Sequence, residues 1–378
     1  MLFRSLQDTP AFFDSTGATL GPQSSHCSDA VNPYPSNFIC NPSSIDGLTV
    51  RDSSQGGGGI FIHGWGHNLQ IANDRVYNNA GTLSGGVTVG QAEFPDAITV
   101  TGVLNGVGEQ SALDVLPSCQ DSTVIGTHLP YCLDLNVNLH NNAITSNSSL
   151  GDELFSGTLS GGGGASFCTG ADYYKFNYNW VCGNVSAGEG GGITHLGFMY
   201  NGDIEHNTIA LNESTNPTIP TNGGGIMVMG TPDTDPTCTT IPDADCPPGL
   251  SDGTGPNLVI NANLIQANSA DSGAGGGIRL NQVNGTDVST FPNGCVTVGA
   301  ATLNPCSKGG VPAYTYWNSV SITNNIINNN IAGWDGAGIS LQDSLNVSIV
   351  NNTIAHNDSL ASSGVLTQSI GKIGRAHV

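Results

Sequence analysis

The sequence predicts an all-β chain wound as a solenoid. Three observations carry that prediction: a nine-residue motif met seven times, a Gly-led strand after nearly every copy, and too little charge for exposed helices. The motif is Φxx(N)xΦxxN, with Φ apolar, and it starts at Ile71, Leu139, Phe176, Ile204, Ile260, Ile322 and Ile349. Charged residues make up 10% of the chain, against about 25% in an ordinary soluble domain. With 8 Lys and Arg and a formal charge of -21, the chain has no basic footprint for nucleic acid. It contains no apolar run of 18 residues to span a membrane, and its 38% hydrophobic content is too high for a disordered polar chain.

The elements follow in order. A less regular first copy runs Ile45, Leu48, Val50, Ser53, and leads to Gly59-Ile60-Phe61-Ile62. In the seven later copies the second apolar position is Val76, Ile144, Val181, Ile209, Ile265, Ile327 and Ile354. The closing position is always Asn: Asn79, Asn147, Asn184, Asn212, Asn268, Asn330 and Asn357. The position three after each start is Asp74, then Asn142, Asn179, Asn207, Asn263, Asn325 and Asn352. After the copies come short alternating runs, as in Gly86-Val87-Thr88-Val89, Gly225-Ile226-Met227-Val228, Gly277-Ile278-Arg279-Leu280 and Gly338-Ile339-Ser340-Leu341. Period-two alternation means strand. From Gly59 to Gly86 is 27 residues, from Gly164 to Gly192 28 and from Gly338 to Gly364 26. That is too short for two strands and a crossover helix, and it suits one coil of a β-solenoid.

Stacked coils lie about 4.8 Å apart, so equivalent side chains form ladders. Asn at a corner tolerates the left-handed region and bonds its amide to backbone and to the next Asn. The Ile and Val rows then make a narrow core that no coil buries alone. The Gly pair before each later strand is expected to turn a corner that β-branched residues cannot.

The segments GGGIFI, ITNNIINNN and IVNNTIAHN resemble the Asn-rich repeat members of the pectin-lyase-like superfamily. The resemblance covers about residues 45–368 and implies a right-handed parallel β-helix, a single-stranded solenoid. For function it implies little, because such folds carry lyases, hydrolases, esterases, adhesins and inert scaffolds. The catalytic elements of polygalacturonase-like enzymes are not present intact, with Gly66-His67-Asn68 the nearest approach. Pectate-lyase-like enzymes need clustered carboxylates for calcium and an Arg or Lys base. Outside the last residues only Arg4, Arg51, Arg75, Lys175, Arg279, Lys308 and Lys372 are available, and the net charge of -21 repels a polyanion.

Three coils carry long insertions. From strand Gly to the next motif takes 12 residues in three coils and 11 in a fourth, but 53 after Gly86, 35 after Gly225 and 45 after Gly277. All three leave one corner and should line one flank, where repeat proteins often bind. The 10 Cys form close pairs: Cys27 with Cys40, Cys119 with Cys132, Cys168 with Cys182, Cys238 with Cys246, and Cys295 with Cys306. Disulfide-closed loops in an extracellular or cell-surface setting are expected, with metal binding the alternative. Residues 1–44 read as an N-terminal segment ending an upstream part of the solenoid. Residues 369–378 read as a non-native tail, because Ile373 to Val378 match one frame of a sequencing adapter, and the natural chain is expected to continue beyond them with other domains.

Aromatic rings beside carboxylates, amides and imidazoles are what a sugar-binding surface needs. His63, Trp65, His67, Tyr173, Tyr174, Phe198 and Tyr200 are therefore the expected ligand contacts, for a polysaccharide or cell-surface glycan. Asp172, Lys175, Asp203, Glu205 and His206 are the catalytic candidates, with Asp203 and Glu205 as an acid/base pair; the alternative is that both merely flank inward Ile204. His195 stands in a strand slot filled elsewhere by Ile62, Val89 and Phe167, and is expected as a hydrogen-bonded core residue, with the edge of a site as the alternative. Asp233, Asp235, Asp243 and Asp245 surround one Cys pair and could bind Ca²⁺, or form a solvated acidic loop. The functional expectation is a structural or carbohydrate-binding module, with a polysaccharide-active enzyme and an adhesin as alternatives.

Overall fold

The computed structural model describes residues 43–54, 56–63, 66, 68–90, 98–99, 110–111, 134, 136–151, 161–199, 201–232, 251–283 and 318–360. Each motif copy supplies two three- or four-residue strands and one two-residue strand, and the Gly-led run supplies a fourth. Stacking these in parallel makes four sheets of 8, 8, 7 and 7 strands. Sheet I runs from Ser44–Asp46 to Val347–Val350, sheet II from Thr49–Arg51 to Thr353–Ala355, sheet III from Ala80–Gly81 to Asp358–Ser359, and sheet IV from Ile60–Ile62 to Ile339–Gln342. The described residues are thus an all-β parallel solenoid, with two short antiparallel pairs, Ile98–Thr99 with Gln110–Ser111 and Thr231–Pro232 with Ser251–Gly253, outside its four sheets.

Register follows the repeat. In sheet I, Ile71, Leu139, Phe176, Ile204 and Ile260 are successive partners, and in sheet II so are Val76, Ile144, Val181, Ile209 and Ile265. All ten side chains are buried. Fully burying one such side chain is worth about 1.5–3 kcal/mol, and only the coils above and below complete that burial.

The Asn rows form two continuous ladders. Asn212 shows the pattern: its backbone N–H and its Nδ2 both donate to Oδ1 of Asn268, at 3.0 and 2.9 Å, while Nδ2 also donates to the carbonyl of Val181 at 3.1 Å. Asn184 repeats the contact onto Asn212, and Asn268 onto Asn330. Each amide therefore satisfies backbone groups that the tight corner leaves without sheet partners. The left-handed backbone falls on the residue just before each ladder Asn, as at Asn141, Tyr178, His206, Ala262 and Asn324.

The Gly pairs work differently from the expectation. A Cβ on Gly225 would lie 2.6 Å from the carbonyl oxygen of Gly277, and one on Gly277 2.5 Å from that of Gly338. Neither has positive φ, so close approach of stacked backbones excludes side chains there.

The three long insertions leave and re-enter the coil at the same kind of junction. They separate Val87–Val89 from Asn138–His140, Ile226–Met229 from Leu258–Asn261, and Ile278–Asn281 from Val320–Thr323, in each case passing from sheet IV to sheet I.

Candidate functional site

Sheet I buries the middle residue of each three-residue strand and turns the two flanking residues outward. In Asp203–Glu205 that leaves both carboxylates outward around buried Ile204. Lys175 is the register neighbour of Asp203, and Glu205 lies between Asn177 and Asn261. Asn261 donates through Nδ2 to Glu205 Oε1 at 3.1 Å and accepts at Oδ1 from Thr323 and Asn324, both at 2.9 Å. Burial raises the Asp203 carboxyl above its usual range, the Glu205 charge adds to that, and the Lys175 ammonium opposes it.

The corner between sheets I and II carries rings. Tyr178 and His206 occupy equivalent positions on adjacent coils, with φ of 57° and 55°, and stack with centroids 4.9 Å apart and planes 4° from parallel. Tyr178 is 59% exposed, and Trp180, the first residue of the next sheet II strand, is 51% exposed. Lys175, Asp203, Glu205 and His206 are therefore brought together beside two exposed aromatic rings that sequence reasoning passed over. The signal was available: Tyr178 stands one place before ladder residue Asn179, the slot of Asn141 and Asn324, and Trp180 flanks inward Val181.

Other expected ligand contacts turn inward. Tyr174 and Phe198 are fully buried, and Tyr174 stacks on Phe167 with centroids 3.8 Å apart. They present no face to a ligand, because the chain entering sheet I fills the core at that corner. Asp172 is also buried, whereas Asp203 and Glu205 reach solvent. Tyr173 is half-buried with φ of 59°. His63 is exposed, tilted against Phe61 on the first strand of sheet IV, and belongs to a different face. Trp65, His67, Tyr200, Asp233, Asp235, Asp243 and Asp245 lie outside the described residues. Among the described residues no three His, Cys, Asp or Glu side chains are placed to hold a metal ion.

His195 is a core residue, as expected. Thr254 can only accept through its carbonyl, so Nε2 of His195 carries the proton and donates at 2.9 Å; Nδ1 then accepts from the Tyr174 hydroxyl, also at 2.9 Å. Burial lowers the imidazole pKa to about 4, with the Thr254 bond opposing, and raises the Tyr174 phenol well above its ordinary value.

Cys168 and Cys182 are free thiols, which corrects the expected disulfide. Cys168 ends a sheet IV strand and Cys182 a sheet II strand, each pointing outward, so the core separates them. Burial raises the Cys168 thiol to about 11. The other four Cys pairs lie outside the described residues.

Sheet IV also turns side chains outward, and beyond exposed Phe61 on its first strand they are covered. Thr88, Ser166, Thr194 and Met227 are buried on that side. The segments before each strand fold over it: Gly162 N–H donates to Thr194 Oγ1 at 3.0 Å, and Gly223 packs against Met227. Glu189, in such a segment, accepts at its two carboxylate oxygens from the Asn222 backbone N–H at 2.9 Å and Nδ2 at 3.0 Å. Burial raises its pKa to about 7, while the Asn222 bonds and the Arg279 charge hold it down. Arg279 donates to Ser340 Oγ and Gln342 Oε1, closing a buried polar layer.

No protein-family model, no curated protein and no solved structure matches this chain.

Proposed function

We propose that this chain is a secreted or cell-surface glycan-binding module, built as a right-handed parallel β-helix of the pectin-lyase-like type and joined to other domains of a longer polypeptide. Right-handedness is supported by the general rule that parallel strands joined by crossovers wind that way in about 98% of cases. The observation that carries the function is the I–II corner, where exposed Tyr178, His206 and Trp180 stand beside Asp203, Glu205, Asn177 and Asn261. Rings stack on the CH faces of sugars, and carboxylates and amides bond their hydroxyls. The net charge of -21 favours an uncharged glycan over a uronic-acid polymer.

Depletion of neutral glycans from solution by immobilised protein, with no new reducing ends or unsaturated products, is the expected result. Failure to retain any glycan would sink the reading. A second reading, a glycoside hydrolase, draws on the raised Asp203 carboxyl beside Glu205. It requires new reducing ends that disappear in Asp203→Asn.

A further inference from the structure

The corner row that holds Tyr178 and His206 continues with Ala262 and then Asn324, one residue per coil. Backbone bonds fix the equivalence: Tyr178 N–H donates to the Glu205 carbonyl at 3.2 Å, His206 N–H to that of Asn261 at 3.1 Å, and Ala262 N–H to that of Thr323 at 3.0 Å. All four residues have left-handed φ, between 55° and 57°. The ring stack runs Tyr178 to His206 and then stops at a methyl group. One face of the His206 ring is taken by Tyr178, and the opposite face looks along the solenoid axis over Ala262. His206 and Asn324 are both exposed. Two coils separate their backbones, about 9.6 Å at one strand spacing per coil; the Asn324 amide leans back to Asn261 Oδ1 at 2.9 Å and borders the space over Ala262, which takes one ring laid on His206 at ordinary stacking separation, about 4.5 Å or a little more.

We infer that the gap over Ala262, between the His206 ring and the Asn324 amide, is a subsite for a single pyranose ring of an uncharged glycan. This deepens the glycan-binding reading and rests on it. The sugar's CH face lies on the imidazole. Its hydroxyls meet the Glu205 carboxylate and the Asn261 and Asn324 amides, which are already linked to one another alongside the gap. Alanine is what keeps the gap open. The same backbone position carries Tyr in one coil and His in the next, so the corner accommodates a larger side chain, which would fill the site.

The test is Ala262→Tyr, compared with wild type for binding of cello-, xylo-, manno- and chito-oligosaccharides. The expected result is a loss of affinity of tenfold or more with an unchanged urea unfolding midpoint. As a second readout, the wild-type His206 ring resonances should shift on titration with the bound oligosaccharide. Undiminished binding by Ala262→Tyr overturns the subsite while leaving the corner as the contact surface. If that variant fails to fold, a His206 resonance indifferent to saturating ligand overturns it instead. Wild-type protein that binds none of the oligosaccharides overturns subsite and glycan reading together.

Discussion

Sheets I and IV obey the same alternation, yet outward means different things on each. On sheet I the outward residues of Asp203–Glu205 and Lys175–Asn177 reach solvent. On sheet IV the outward Thr194 and Met227 are as buried as the core, because the glycine-rich segment before each strand folds back over them. The difference teaches that strand periodicity assigns a side, while the length and composition of the connection decide whether that side is a surface. The open side is where a ligand can be met; the closed side holds the coils in register.

The largest effect should come from the structure shared by both regions. Asn212→Leu removes the amide that joins Asn184, Asn268 and the Val181 carbonyl, leaving buried backbone groups unpaired. At about 1–3 kcal/mol for each orphaned group, a loss of several kcal/mol is expected, read as a lower urea midpoint. Next is the closed side. Gly225→Ala places a methyl 2.6 Å from the Gly277 carbonyl oxygen and should cost about 1–3 kcal/mol. If neither substitution lowers the midpoint, the stacked coils do not bear on each other as described.

Two buried groups then give opposite pH slopes. The folded pKa of Glu189, about 7, lies above its ordinary 4.5, so the folded state favours the protonated acid and stability falls as pH rises from 4.5 to 7. For His195 the folded pKa, about 4, lies below 6.5, so stability present above pH 6.5 falls as pH drops toward 4. In wild type the two partly cancel. Relative to wild type, Glu189→Gln should make the slope of stability against pH between 4.5 and 6.5 more positive, and His195→Gln more negative, each measured by denaturant unfolding across that range. The smallest stability effect belongs to the open side. Trp180→Ala should change unfolding by no more than about 0.5 kcal/mol while weakening glycan retention.

Much of the fold was legible because the ladders force identity onto the sequence. Seven Asn in a row at one motif position have no other economical origin, and the structure gives them the expected partners. The Gly pairs were legible as positions, but their cause was not: close approach of neighbouring carbonyls depends on coil spacing, which a single copy does not reveal. The site was read less well. Asp172 to Lys175 looked like a patch because its residues are adjacent in sequence, whereas alternation and the entry into sheet I send Tyr174 inward and Lys175 out. Tyr178 and Trp180 escaped notice because they sit inside the repeat, where every position had already been given a structural duty. Cys168 and Cys182 looked paired by spacing alone; the chain crosses sheet I between them, which sets one on sheet IV and the other on sheet II.

Hydroxyl-radical footprinting of the free protein, read by mass spectrometry, tests the contrast of open and closed sides most directly. Tyr178 and Trp180 should oxidise rapidly, while Met227, with the more reactive side chain but only 1% exposed, stays unmodified together with Tyr174. Oxidation of Met227 at the rate of Tyr178 would contradict the account, since sheet IV would then be as open as the corner between sheets I and II.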